Sequence, residues 1–217
     1  MTPAAPMTDP ATAHTRRGRP MSRLHRLLVV SLIGLVASSG AAAAPRPATS
    51  HLVAVQPIAA PKGVGEICRL YDWACAGPTG ARIPAKAMLA VARSVNTSVN
   101  ARVRAVSDRQ QYGREDVWAL PTARGGDCED FALAKKQRLV DAGLSPASLL
   151  IATVLDRQRN PHAVLVLRTG SGDYVLDNLT SRILPWQDTG YSFLRMQNPD
   201  KPRLWDAILA GGIFAQS

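Results

Sequence analysis

The residue with most to offer chemically is a cysteine set among acids at the entry to a helix. In Gly125-Gly126-Asp127-Cys128-Glu129-Asp130-Phe131 two glycines allow a sharp turn, and Asp127 suits a helix N-cap with Asp130 three residues on. Phe131, Ala134, Leu139 and Val140 give an apolar side to a helix ending at Gly143. Cys128 then stands on the first turn. Free N–H groups and the positive helix end favour thiolate there, the form that attacks a carbonyl carbon, and the same N–H groups can hold the resulting oxyanion.

Asp127, Glu129 and Asp130 oppose that effect, because negative charge beside a thiol raises its pKa. Two readings of these acids stand side by side. One is helix capping and dipole complementation. The other is a hard cation held by carboxylate oxygens, Ca²⁺ in an exported protein, with Asp127 and Glu129 as first ligands, although the spacing is not that of an EF-hand loop.

A thiol nucleophile needs a base and a group to orient it. His162 to Arg168 and Tyr174 to Asn178 read as two strands joined by Thr169-Gly170-Ser171-Gly172-Asp173. With Gly170-Ser171 as a two-residue turn, Thr169 faces Gly172 and Val164 faces Asp177. His162 then shares a sheet face with Asp177, one diagonal step away, and a one-residue slip would separate them. The bland alternatives are a structural histidine and a strand-end turn. The order Cys128, His162, Asp177 is that of papain-like and transglutaminase-like cysteine enzymes.

The elements that must carry these residues are legible in part. Met88, Val91, Val95, Val99, Val103 and Val106 recur at three- and four-residue steps, predicting a long amphipathic helix from Pro84 to about Ser107 packed on the core. A polar loop follows from Asp108 to Gly126, and Leu149 to Leu155 reads as a buried strand. Lys135, Lys136 and Arg138 read as a solvated helix face. Trp118 is read as core packing in preference to a wall of the cleft.

The 217 residues are 46% hydrophobic and 19% charged, which excludes a disordered or collagen-like chain. The net charge is +10, of which +6 remains beyond the five Arg and one Asp that precede Pro45. That favours acidic partners, but no interleaved basic and aromatic stretch supports nucleic-acid binding. Arg23 and Arg26, the apolar run Leu27 to Ala37 and the small residues Ser38 to Ala43 read as an export signal cleaved after Ala43, leaving no stable membrane insertion, in preference to a membrane anchor over Leu27 to Ala44. Residues 1–20 are an extension, so translation could begin at Met21. Residues 44–65, rich in Pro, Ala and Val, read as a lead-in, and residues 66–217 as one domain. In an oxidising compartment Cys68 and Cys75 are close enough to pair, leaving Cys128 alone; three reduced, buried cysteines are the alternative.

With these residues in hand, the sequence resembles the bacterial transglutaminase-like cysteine proteinases of the LapG type. The resemblance runs through Trp118-Ala119-Leu120-Pro121, Gly126 to Ala132, the Lys135-Lys136 helix, Pro161 to Val164, Tyr174 to Asn178 and Leu184-Pro185-Trp186, covering roughly residues 65 to 210. It implies an α+β, papain-like fold with the nucleophile helix packed on an antiparallel sheet. It also implies Cys128 as nucleophile, His162 as base and then acid, Asp177 as orienting group, and Ca²⁺ on Asp127 and Glu129. Such periplasmic proteases cut large surface adhesins near their N-terminus at a small-residue site, releasing cells from biofilm. The periplasmic domain of a cyclic-di-GMP-responsive inner-membrane receptor sequesters them. The Cys68 and Cys75 pair and the N-terminal extension stand outside the pattern. A cell-wall peptide amidase or acyltransferase with the same triad, and a periplasmic binding module without activity, are the other classes this constellation fits.

Overall fold

A computed structural model describes residues 51–80 and 82–215. The proposed export signal and its cleavage point lie outside the described residues. The folded unit is an α+β domain built on one antiparallel sheet of seven strands: β1 (Gln56–Ile58), β2 (Leu149–Leu155), β3 (Pro161–Thr169), β4 (Gly172–Leu176), β5 (Leu184–Pro185), β6 (Ser192–Gln197) and β7 (Trp205–Ala210). Their order across the sheet is β1-β7-β6-β2-β3-β4-β5, so the central strands are those that carry the longest apolar runs. Part of the lead-in belongs to this sheet: Gln56 pairs with Ala207, and Leu52 is buried.

Alternation along the strands sorts side chains onto two cores. Leu149, Ile151, Ala163, Leu165 and Leu167 face one side, and Leu150, Ala152, Val154, Val164 and Val166 the other. Among the described residues four helices join the sheet: α1 (Ile67–Leu70), α2 (Ala85–Arg102), α3 (Asp108–Tyr112) and α4 (Cys128–Asp141). Of these, α4 packs on β3 and β2 and also against α2. Cys68 and Cys75 form a disulfide around α1, with Cα atoms 5.3 Å apart, and Cys128 is free.

The periodic segment after Pro84 ends as a helix at Arg102, sooner than its pattern implies. Val103 is extended, and the chain continues as a bridge between Ala105 and Gly126. β-branched residues tolerate that conformation well, and the valines beyond the helix serve it. The buried stripe of α2 instead runs through Met88, Ala92, Asn96 and Val99. Asn96 and its neighbour one turn on, Asn100, both donate to the carbonyl of Thr180. A polar side chain thus occupies a core position where its amide N–H finds an acceptor, while the Oδ1 of each asparagine is buried without a partner.

The lysines of α4 correct the expectation of a solvated face. Lys135 and Lys136 are 1% and 0% exposed, since a helix covered by a sheet on one side and another helix on the other has little surface left for charge. The Lys135 ammonium lies 5.6 Å over the Phe131 ring. The Lys136 ammonium donates to Oε1 of Gln197 at 2.9 Å, and that glutamine reaches the carbonyls of Ala74 and Pro202. Burial pulls the Lys136 ammonium down to about 7. Its folded-state value lies below that of the unfolded chain, so unfolding takes up a proton between these two values. Native stability therefore rises with pH across that window, and below it the full desolvation cost applies. Relative to wild type, Lys136→Met should gain most below neutral pH. That advantage should shrink by about 1.4 kcal/mol per pH unit from 7 towards 10, read from urea unfolding at several pH values.

Candidate active site

The turn into α4 depends on its glycines. Gly125 has φ +126, and a Cβ there would stand 2.1 Å from the carbonyl oxygen of Arg104. A Cβ on Gly126 would strike the Asp130 carboxylate at 2.5 Å. Bare backbone lets Gly126 pair with the strand-like segment beside it, donating to Arg104 O at 3.1 Å and accepting from Val106 N at 3.0 Å. The helix then begins at Cys128, as the sequence leads one to expect.

Asp127 occupies the N-cap position but makes no capping bond with its side chain. Its Oδ2 accepts instead from the backbone N–H of Asp108 at 3.2 Å. Asp130 turns outward from its helix to accept from Ala119 N at 3.0 Å, and Asp108 accepts from Val117 N. Each of the three spends one oxygen on a backbone N–H, while its other oxygen is buried without a hydrogen-bond partner. One oxygen from each lies within 4.8 Å of the others. Two oxygens on opposite sides of a Ca²⁺ ion stand about 4.6–5.2 Å apart, so the residues present fit such an ion. Burial first, and then Glu129, pushes the Asp127 carboxyl up to about 7; burial pushes Asp130 to about 7 and raises Asp108.

Of the two acids read as ligands from the sequence, Asp127 belongs to this trio and Glu129 does not. Glu129 accepts from the Cys128 thiol at 3.1 Å. Burial and the Glu129 carboxylate together hold the thiol well above its ordinary range, while the backbone N–H of Ala163 beside the sulfur acts in the opposite direction. Asp108 went unassigned in the sequence, although Ser107 and Gln110 form a capping box that marks the start of α3 and places Asp108 on its first turn.

The base and its orienting group arrive from the hairpin. Thr169 pairs with Gly172 and Leu165 with Leu176, the register expected from a two-residue turn. His162 and Asp177 then meet, with Nε2 2.9 Å from Asp177 Oδ1 and both side chains nearly sealed from solvent. Burial works to raise the Asp177 carboxyl, but hydrogen bonds from His162 and Tyr191 outweigh it and hold the group below its usual range. An ionised Asp177 accepts, so Nε2 carries the hydrogen and Nδ1 is the nitrogen left for proton exchange.

Tyr191 had no sequence signal. It donates its hydroxyl to Asp177 Oδ2 and sets its ring edge-on to His162, with centroids 6.0 Å apart. Leu179 N and Asn100 hold the same turn through Asp177 Oδ1 and its backbone carbonyl, at 3.0 and 2.8 Å. Cys128 and His162 line one cleft of about 590 Å³, with Asp127, Glu129 and Trp118 in its walls. Trp118 is also packed edge-on against Trp205, so it serves core and cleft together. Leu194, left out of the pairing of β6 with both neighbours, contributes to the same lining.

The family model described as bacterial transglutaminase-like cysteine proteinase matches residues 54–212. The chain belongs to that family. Among solved structures, this proteinase is similar to Legionella pneumophila LapG in a calcium-bound form, at 25% identity over 62% of this chain and 75% of that one, with a TM-score of 0.49. It is also similar to the EGTA-treated form, at 26% identity over 51% and 63% of the two chains, with a TM-score of 0.44. No curated protein sequence matches this proteinase.

Proposed function

We propose that this proteinase is a calcium-dependent periplasmic endopeptidase that cuts the N-terminal region of a large surface adhesin, with Cys128 as nucleophile, His162 as general base and acid, and Asp177 as orienting group. The observation that carries the reading is one cleft lined both by a thiol on a helix start and by an imidazole that a buried carboxylate holds through Nε2. Cys128 attacks the scissile carbonyl, helix-start N–H groups take the oxyanion, and His162 protonates the departing amine through Nδ1. Water then deacylates the enzyme with His162 as base.

Asp108, Asp127 and Asp130 would hold the ion through their unpartnered oxygens, with Glu129 beside them. A bound Ca²⁺ supplies positive charge that offsets the carboxylates acting on the sulfur, favouring thiolate. Export agrees with the apolar run and small-residue site near the N-terminus and with the Cys68–Cys75 disulfide. Release of cells from biofilm, and restraint of the enzyme by the periplasmic domain of a cyclic-di-GMP-responsive receptor, follow from the family resemblance. The test is incubation of the purified protein with N-terminal fragments of candidate adhesins, with and without chelator, and mass analysis of the products. Defined cuts that disappear on chelation support the reading; intact fragments under both conditions refute it.

Tyr191 is assigned as a positioning residue. In Tyr191→Phe the ring that packs on His162 remains and only the hydroxyl bond to Asp177 is lost. The expected result is a kcat about tenfold lower with KM little changed, as for an interaction that matters chiefly in the transition state. Equal losses in both constants, or none, would remove the assignment.

A further inference from the structure

We propose that a second cavity, on the far side of the His162–Asp177 pair from Cys128, is a substrate subsite. It would receive an apolar side chain with an acidic neighbour, from the polypeptide on the leaving-group side of the scissile bond. The proposal rests on the cysteine-endopeptidase reading above and adds to it a sequence preference.

His162 lines the cleft that holds Cys128, whereas Asp177 lines a separate cavity of about 260 Å³. The two side chains are joined at 2.9 Å, so together they form the partition between the two spaces. The chemistry supplies the direction. An imidazolium gives its proton to the departing amine nitrogen, and the segment carrying that nitrogen therefore leaves over the imidazole side of the sulfur. An extended chain advances about 3.3 Å per residue, so passing an imidazole and a carboxylate takes about three residues.

The cavity is shaped for a side chain. Val175, Leu184 and the Tyr191 ring give it apolar walls. At its mouth stands Leu179, 59% exposed although its backbone N–H is fixed to Asp177 Oδ1. A large apolar residue in solvent, its backbone fixed two residues from the buried carboxylate, offers contact to a bound chain at reduced ordering cost. Arg157 and Arg182 also line the cavity, and its carboxylate, Asp177, is already engaged by His162 and Tyr191. The Arg157 guanidinium is set by the carbonyl of Thr189 at 2.7 Å. Two arginines beside an apolar hole fit an acidic residue next to an apolar one.

The experiment is cleavage of a diverse peptide library by the whole protein, with every cut position read by mass spectrometry, for wild type, Arg182→Glu and Leu179→Asp. Both substitutions fall on exposed positions, and thermal unfolding checks that each variant is folded. Wild type should enrich Leu, Val or Phe two to four residues beyond the cut, with Asp or Glu adjacent, by about threefold or more over the library. Arg182→Glu should reverse the charge preference towards Lys and Arg, and Leu179→Asp should flatten the apolar one. Cleavage without selection on that side, or a profile unchanged in both variants, overturns the subsite while leaving the endopeptidase reading intact. A wild-type protein that cuts neither the library nor any adhesin fragment overturns both.

Discussion

Cys128→Ala should leave a folded protein with no measurable proteolysis, a fall of more than about 10³-fold in kcat/KM. The fold should survive because the sulfur is a minor structural element: it is half-buried, and its side-chain hydrogen bond goes to Glu129. That bond helps hold the thiol protonated, so its loss costs the native state little, and Tm should move by no more than a few degrees. Cys128→Ser is the sharper form of the test. It keeps a nucleophilic atom in place, but a hydroxyl ionises far less readily than a thiol, so a mechanism that begins with thiolate should lose nearly as much as with Ala. Cleavage of adhesin fragments at wild-type rate by either variant would end the case for this residue.

Chelation should produce the second-largest loss, roughly 10- to 100-fold in turnover, because the carboxylates around Cys128 then act unopposed on the thiol. The acidic trio also predicts effects of opposite sign on stability. Ca²⁺ at a hundred times its Kd should stabilise the wild type by about 2.7 kcal/mol. In chelated protein, however, Asp127→Asn or Asp130→Asn should be neutral or stabilising, since an amide oxygen still accepts the backbone N–H and one of three crowded acids is gone. Those variants should show little Ca²⁺-dependent rise in Tm. Thermal unfolding with and without Ca²⁺ measures both effects. Identical melting in the two conditions, with turnover insensitive to chelator, would remove the ion from the account.

What the sequence reveals and what it hides divide along a physical line. Strand β2 and the β3–β4 hairpin were legible because alternation and a two-residue turn are local properties, and correct register alone brings His162 to Asp177. The start of α4 was legible for the same reason. Hidden were contacts decided by packing between distant segments. The Asp127 side chain looks like a cap, yet the first turn of α3, nineteen residues earlier, offers it Asp108 N–H, and its own helix end goes without. Lys135 and Lys136 look solvated on any helical projection, and only the double coverage of α4 buries them. Tyr191 acquires its place beside His162 from a sheet order that skips back across the chain.

That sheet order also governs how the chain reaches its native state. Strand β1 finds its partner in β7, with Gln56 opposite Ala207, so a segment that emerges before the rest of the sheet waits for the strand that follows all the others in it. Pairing across so long a loop is slow to nucleate, and until β7 docks β6 presents an open edge. A chain stopped short of residue 205 would lack the strand that covers both, and would be expected to aggregate rather than persist as a smaller soluble enzyme.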